Sequence, residues 1–166
     1  MKYTKATQET IDMVENISEK LGLDNYGVNF EPIYVKKAKE VCKVVKANDF
    51  VKYKAEKEDL VFVVCYEDFF EGIDSMGHAY ASEDDKFKAL RLAMEQVSFD
   101  PEKEKLIIGC NSVVLPVGYC IDNEDAVKSA LYNATIMAKI QHDKKEEEDK
   151  KKALRTKGKG KNKEQQ

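Results

Sequence analysis

The chain has 166 residues, of which 42% are hydrophobic and 36% are charged. This length allows one domain with a hydrophobic core, and every apolar run falls short of the roughly 20 residues of a membrane-spanning helix. The first residues, MKYTKATQETIDMVEN, lack the apolar segment of a signal peptide, which predicts a cytoplasmic protein without a membrane partner.

The N-terminal unit, residues 1–27, is predicted to be an amphipathic helix followed by a loop. Thr4 or Thr7 is a suitable helix cap, and apolar residues recur at three- and four-residue spacing until Leu21. Gly22 then follows, which is typical of a helix C-terminus.

Residues 28–142 are predicted to form an α+β domain. From Ile33 to Ala47, β-branched residues are interleaved with lysines, which predicts strand structure with either an exposed face or a protected edge. Val51 to Tyr53 are predicted to continue this pairing. The run LVFVVCY, Leu60 to Tyr66, indicates a central strand buried on both faces, and a short helical segment, Glu67 to Ile73, follows it.

Ser82 is predicted to cap the next helix, which continues through Val97 and ends at Ser98 to Pro101. A strand over Lys103 to Gly109, a second over Ser112 to Tyr119, and a last helix starting at Asp122 or Asn123 complete the domain. This order predicts a small mixed or antiparallel sheet with helices packed on one face.

The segment 143–166 is predicted to be a charged basic tail that begins as a helical continuation and ends disordered. It holds ten basic and six acidic residues, whereas residues 1–142 hold 18 basic and 25 acidic ones. Contact with a polyanion is therefore expected through the tail; the alternative is a merely solubilising end. The candidate binding residues are Lys150, Lys151, Lys152, Arg155, Lys157, Lys159, Lys161 and Lys163.

The cysteines and tyrosines have structural explanations. Cys42, Cys65, Cys110 and Cys120 lie in or beside apolar stretches without a Cys-x-x-Cys pair, which predicts reduced, buried thiols rather than a zinc site. Three tyrosines lie on or beside the predicted strands with lysines between them. Sheet packing explains them; the alternative, a stacking surface for single-stranded nucleic acid, fits poorly with the acidic body. These tyrosines are Tyr34, Tyr53 and Tyr66.

The order of elements over residues 28–142 resembles the metallopeptidase domain family encoded by bacteriophages. The resemblance is carried by Ile33-Tyr34-Val35 before the lysine-rich segment, by Leu60 to Phe70, and by the acidic turn and strand from Phe99 to Ile108. It implies a zincin-like fold and the cytoplasm of an infected bacterial cell.

Active-looking members of that family carry His-Glu-x-x-His on a helix, with two zinc ligands one turn apart and a general-base Glu. Here Glu95 matches the base, but Met94 and Ser98 occupy the ligand positions, and neither a thioether nor a neutral hydroxyl suits zinc. The resemblance therefore implies a pseudoenzyme without catalytic residues, metal or cofactor. Met94 is expected to face the core, and Glu95 to be solvated or ion-paired.

The leading hypothesis is a non-catalytic binding protein that contacts a host or phage protein, with the tail aiding contact with nucleic acid or a ribonucleoprotein. One alternative is a metal-dependent hydrolase whose atypical zinc ligands are Glu95, His78 and an acid from Glu83 to Asp85. The other is a nucleic-acid-binding accessory protein that acts mainly through the tail.

Overall fold

The computed structural model describes residues 2–100, 102, 105–109 and 123–160, without the side chains of residues 99, 123–127, 129, 130 and 153–160. Within these residues the chain is α+β, as the sequence predicts. Its elements are β1 (Tyr3–Lys5), α1 (Gln8–Leu21), β2 (Asn29–Val35), β3 (Cys42–Lys46), α2 (Asp49–Ala55), β4 (Leu60–Tyr66), α3 (Glu67–Phe70), α4 (Glu83–Met94), β5 (Val97–Asp100), β6 (Lys105–Ile108) and α5 (Asn123–Gly160).

A mixed four-stranded sheet in the order β1-β2-β4-β3 organises the domain. β2 and β4 are parallel, and the outer strands β1 and β3 are antiparallel to their neighbours. The predicted central strand is confirmed, because β4 lies between β2 and β3 and every residue of it except Phe62 is buried. β5 and β6 form a separate antiparallel pair.

The helices pack on one face of the sheet, which confirms the predicted arrangement. Alternate residues of β4 point into a single core cluster that also receives Val14 and Ile17 of α1, Leu90 and Met94 of α4, and residues of α5. Packing against this face buries the apolar side of each of these helices. Burial of apolar surface is the main source of stability for a domain of packed layers.

The predicted ends of α1 and the start of α4 are confirmed. Thr7 is the N-cap of α1, and Gly22 ends it in the left-handed region with φ of 67°. Ser82 and Asp85 form a reciprocal capping box at the start of α4, in which each side chain bonds the other residue's backbone N–H.

Two predictions of local structure are wrong. Val51 to Tyr53 lie in helix α2 rather than in a strand, because the Asn48 side chain accepts the N–H of Val51 at 2.9 Å and caps a helix there. The helix predicted to run through Val97 ends at Met94, because Val97 to Asp100 form β5 and pair with β6.

Helix α5 extends through Gly160 and thus includes the first part of the predicted tail. It spans 38 residues, a length of about 57 Å at 1.5 Å per residue. Asn133, Ile136, Met137 and Ile140 are buried against the domain, whereas each described side chain from Lys144 to Lys152 is exposed. Among the helices of the described residues, none is both long enough and apolar enough to span a membrane.

The strand predicted at Ser112 to Tyr119 and the cap residue Asp122 lie outside the described residues.

Candidate functional site

The residues matched to the zinc motif do not share a helix face. Met94 is the last residue of α4 and is fully buried in the core, Glu95 caps the helix, and Ser98 is exposed on β5. Two ligands at the first and last positions of that motif require one continuous helical turn, so the prediction that Met94 and Ser98 lie on one helix is wrong. The Glu95 carboxylate accepts a hydrogen bond from Arg91 Nε at 2.8 Å, which is the expected ion-paired role.

The atypical ligands of the alternative hydrolase have local partners. The His78 side chain is 71% exposed and its Nδ1 lies 3.8 Å from Asp74 Oδ1. Asp85 belongs to the capping box, and Asp84 is paired with Lys88. In the described part of the chain, no three His, Cys, Asp or Glu side chains are grouped so that they can hold a metal.

The lysines predicted to bind a polyanion divide into two groups. Lys150, Lys151 and Lys152 each lie within ion-pair distance of an acid one turn earlier on α5, with N–O distances of 3.2–3.7 Å. Residues 143–152 contain five basic and five acidic residues, so this segment has no net charge. The tail's excess of positive charge lies in residues 153–166, which hold five basic residues and one acid.

The side chains of Arg155, Lys157 and Lys159, and the whole of Lys161 and Lys163, lie outside the described residues.

Helix α2 carries two aromatic side chains that project into solvent. Phe50 is 70% exposed and Tyr53 is 81% exposed, and their spacing of three residues places them on one side of the helix. α2 has no buried residue, and an open groove of about 690 Å³ lies beside it, lined by residues from Asp49 to Glu58. We call Phe50, Tyr53 and this groove the α2 surface.

Exposed aromatic residues of this kind mark protein-binding surfaces when they occur together. Sequence reasoning missed Phe50, because the expected strand at Val51 to Tyr53 hid the helical spacing. The signal available in the sequence was Asn48 as a helix cap, followed by Asp49 in the first turn.

A partly buried hydrogen-bond network joins β2 to α1 and to the end of α3. The Tyr34 hydroxyl donates to Glu71 Oε1 at 2.6 Å and lies 2.9 Å from Thr10 Oγ1 and 3.0 Å from Thr7 Oγ1. Since the Tyr34 proton goes to Glu71, the Thr10 hydroxyl acts as the donor to Tyr34. The Thr7 hydroxyl donates to Glu71 Oε1 at 3.2 Å. Burial, followed by the carboxylate of Glu71, raises the pKa of Tyr34. Each group has a partner, so this network fits a structural role.

Polar contacts fix α5 against the segment between β4 and α4. The Tyr80 hydroxyl donates to Asp143 Oδ2 at 2.8 Å, and Lys144 donates to the Tyr66 hydroxyl and to Asp68. Burial and then Asp143 raise the pKa of Tyr80. Burial alone would lower the pKa of Lys144, but its bonds to Asp68 and Tyr66 raise it above its ordinary value.

Nearby, Lys139 Nζ lies 3.2 Å from Asp74 Oδ2, which adds a further link between α5 and the domain. The backbone N–H of His78 donates to the Asp74 carboxyl and is the main cause of its lowered pKa. These contacts anchor α5 as far as Lys144.

Two of the cysteines face each other in the sheet. The thiol of Cys65 is fully buried and that of Cys42 is half-buried, with their Sγ atoms 3.9 Å apart. The hydrogen bond to Cys42 and burial raise the pKa of the Cys65 thiol. The positions of the cysteines in the sequence do not reveal this contact, because the contact depends on the register of β3 against β4. Cys110 and Cys120 lie outside the described residues.

Comparison with known protein families, with curated proteins and with solved structures finds no match to this chain.

Proposed function

We propose that the chain is a non-catalytic binding protein that acts by contact with another protein, and that the α2 surface forms part of the contact. The exposure of Phe50 and Tyr53 on one side of a helix with no buried residue carries this proposal. Aromatic side chains that enter an apolar pocket of a partner contribute most to binding energy at protein interfaces.

The charges around the α2 surface favour a protein over a nucleic acid as its occupant. The connection between β3 and β4, residues 47–59, contains three lysines and four acids. This segment lacks the excess of positive charge that binds nucleic-acid phosphates. A polar rim of both charge signs around aromatic side chains is instead typical of protein interfaces. The expected partner therefore offers an apolar pocket with a rim of both charge signs.

A non-catalytic role agrees with the surroundings of the residues matched to the zinc motif. Met94 packs in the core and Glu95 is held by Arg91, so both have structural partners. The resemblance to the phage metallopeptidase family, with a partner from phage or host, remains a prediction.

Photo-crosslinking tests this proposal. A photoreactive amino acid replaces Tyr53, and in a second protein it replaces Tyr26, which is 55% exposed in the segment between α1 and β2. Both proteins are irradiated in an extract of the cells that make the chain, and adducts are identified by mass spectrometry. We expect one dominant protein adduct at position 53 that is absent at position 26.

Competition with unlabelled protein makes this test specific for the α2 surface. Excess wild type should remove the adduct, and the double variant Phe50→Ser/Tyr53→Ser should not. The matched control, Leu131→Ser/Tyr132→Ser, removes an exposed apolar pair from α5 and should compete as well as wild type. Equal competition by both double variants, a nucleic-acid adduct, or an adduct with a second copy of the chain would overturn the proposal.

We further propose that the basic end of the tail aids contact with nucleic acid. The separation of charge along the tail supports this role, since Lys150 to Lys152 have acidic partners while residues 153–166 have a net positive charge. At most five cationic side chains are then available, so the logarithm of the binding constant for single-stranded RNA should fall against the logarithm of salt with a slope of about −3.5 or shallower.

Fluorescence anisotropy with a labelled single-stranded RNA measures this slope. Deletion of residues 153–166 should abolish salt-dependent binding. Replacement of Lys150, Lys151 and Lys152 by Gln should leave most of it, because these lysines already neutralise neighbouring acids. Unchanged binding after the deletion, or its loss in the triple variant alone, would contradict this role of the tail.

A further inference from the structure

The two cysteines on β3 and β4 are placed directly opposite each other. Cys42 and Cys65 are register partners in an antiparallel pair, so both side chains leave the sheet on the same face. Their Sγ atoms are 3.9 Å apart, close enough for rotation about the side-chain bonds to bring the sulfurs together.

The backbone between them has the spacing that a disulfide needs. The N–H of Tyr66 donates to the C=O of Val41 at 2.9 Å, so Val41 and Tyr66 form a hydrogen-bonded pair. The two kinds of pair alternate along an antiparallel ladder, so the next pair, Cys42 with Cys65, is a non-hydrogen-bonded pair. Cα atoms in such pairs lie about 4.5 Å apart, within the 4.4–6.8 Å observed across disulfides. Bond formation therefore requires little movement of either strand.

We propose that Cys42 and Cys65 form a reversible cross-strand disulfide by exchange with a small disulfide of the glutathione class. The Cys42 thiolate attacks one sulfur of the small disulfide, forming a mixed disulfide and releasing one small thiolate. Cys65 loses its proton to solvent, and its sulfur attacks Sγ of Cys42 and expels the second thiolate. Two protein thiols are oxidised, and one small disulfide is reduced to two thiols.

The exposure of the two residues determines the order of these steps. Cys42 is half-buried on a strand at the edge of the four-stranded sheet, whereas Cys65 is fully buried on the central strand. A small disulfide therefore meets Cys42 first, and Cys65 acts as the resolving thiol. The product closes a covalent ring over residues 42–65, which include α2 and its aromatic side chains, and ties the edge strand to the centre of the sheet.

The test uses the folded full-length chain in buffers of reduced and oxidised glutathione. After equilibration, free thiols are alkylated in denaturant and the protein is digested for mass spectrometry. We expect both thiols to be lost from alkylation together, with a cross-linked peptide that joins Cys42 to Cys65. The variant Cys110→Ser/Cys120→Ser should give the same cross-link, and Cys42→Ser should abolish it.

A control on wild-type protein avoids dependence on the folding of any variant. In urea, loop closure favours the nearest cysteines in sequence, Cys110 and Cys120, so the Cys42–Cys65 peptide should become a minor product. The proposal is overturned if this peptide is no more abundant from native than from unfolded protein. It is also overturned if Cys42 retains a glutathione adduct while Cys65 remains free to alkylate.

Discussion

Replacement of Tyr34 by Phe removes one oxygen from the centre of the network that joins α1, β2 and α3. The ring itself should stay in place, because Tyr34 is only 3% exposed and packs 6.1 Å from the ring of Phe70. What is lost is the bond to Glu71 at 2.6 Å and the partner of the Thr10 hydroxyl, which is itself buried.

The expected cost follows from these partners. A hydrogen bond to a charged group contributes about 1.5–3 kcal/mol. Glu71 is exposed and keeps its bond from Thr7 Oγ1 at 3.2 Å, which places the value toward the lower end. Thr10 retains a weak contact with Thr7 Oγ1 at 3.4 Å, which limits the cost of removing Tyr34 as the partner of the Thr10 hydroxyl. We expect the free energy of unfolding to fall by about 2 kcal/mol, or roughly 4–8 °C in Tm for a domain of this size.

Urea unfolding followed by far-UV circular dichroism measures this change, since the chain contains no tryptophan. Tyr53→Phe is the matched control, because its hydroxyl belongs to a side chain that is 81% exposed. Adding Thr10→Val to Tyr34→Phe should cost less than the sum of the single changes, since both partners of one bond are then removed. A Tyr34→Phe loss below about 0.5 kcal/mol would refute this account of the network.

Two further predictions concern a helix cap and pH. Ser82→Ala should lower the free energy of unfolding by about 1 kcal/mol, because the capping box is lost. The control Ser98→Ala on β5 should leave the free energy of unfolding unchanged. Equal urea midpoints for the two variants would contradict this prediction. The pKa values of Tyr34 and Tyr66 are higher in the folded protein than the tyrosine pKa near 10 in the unfolded chain. The stabilisation that results is complete at pH values below this unfolded pKa. Stability should therefore fall as pH rises above about 10, and less so in Tyr34→Phe; a wild-type urea midpoint constant from pH 9 to about 11 would contradict the sign.

The features predicted correctly from the sequence are those determined within a few residues. The central strand β4 is a continuous apolar run, and the capping box at Ser82 needs only residues up to Asp85. The end of α1 at Gly22 follows from the freedom of glycine at positive φ. In each case the local pattern and the tertiary packing favour the same structure.

The wrong and missed features depend on competition or on distant residues. At Val51 the preference of a β-branched residue for a strand competes with the cap at Asn48, and the cap prevails. The end of α4 at Met94 is set by strand pairing between Val97 and Ile108, which no local pattern reveals. The contact between Cys42 and Cys65 likewise requires the register of β3, which a shift of one residue would abolish.

The length of α5 beyond its last anchor has an electrostatic consequence. From Lys144 to Gly160 the helix rises by about 24 Å, which is about three Debye lengths at physiological ionic strength. Residues 1–142 carry an excess of seven acids, and a polyanion near them would be repelled. If the tail binds nucleic acid as proposed, a polyanion held at the far end of α5 would lie beyond that field. The helix would then act as a spacer between the acidic domain and its negatively charged ligand.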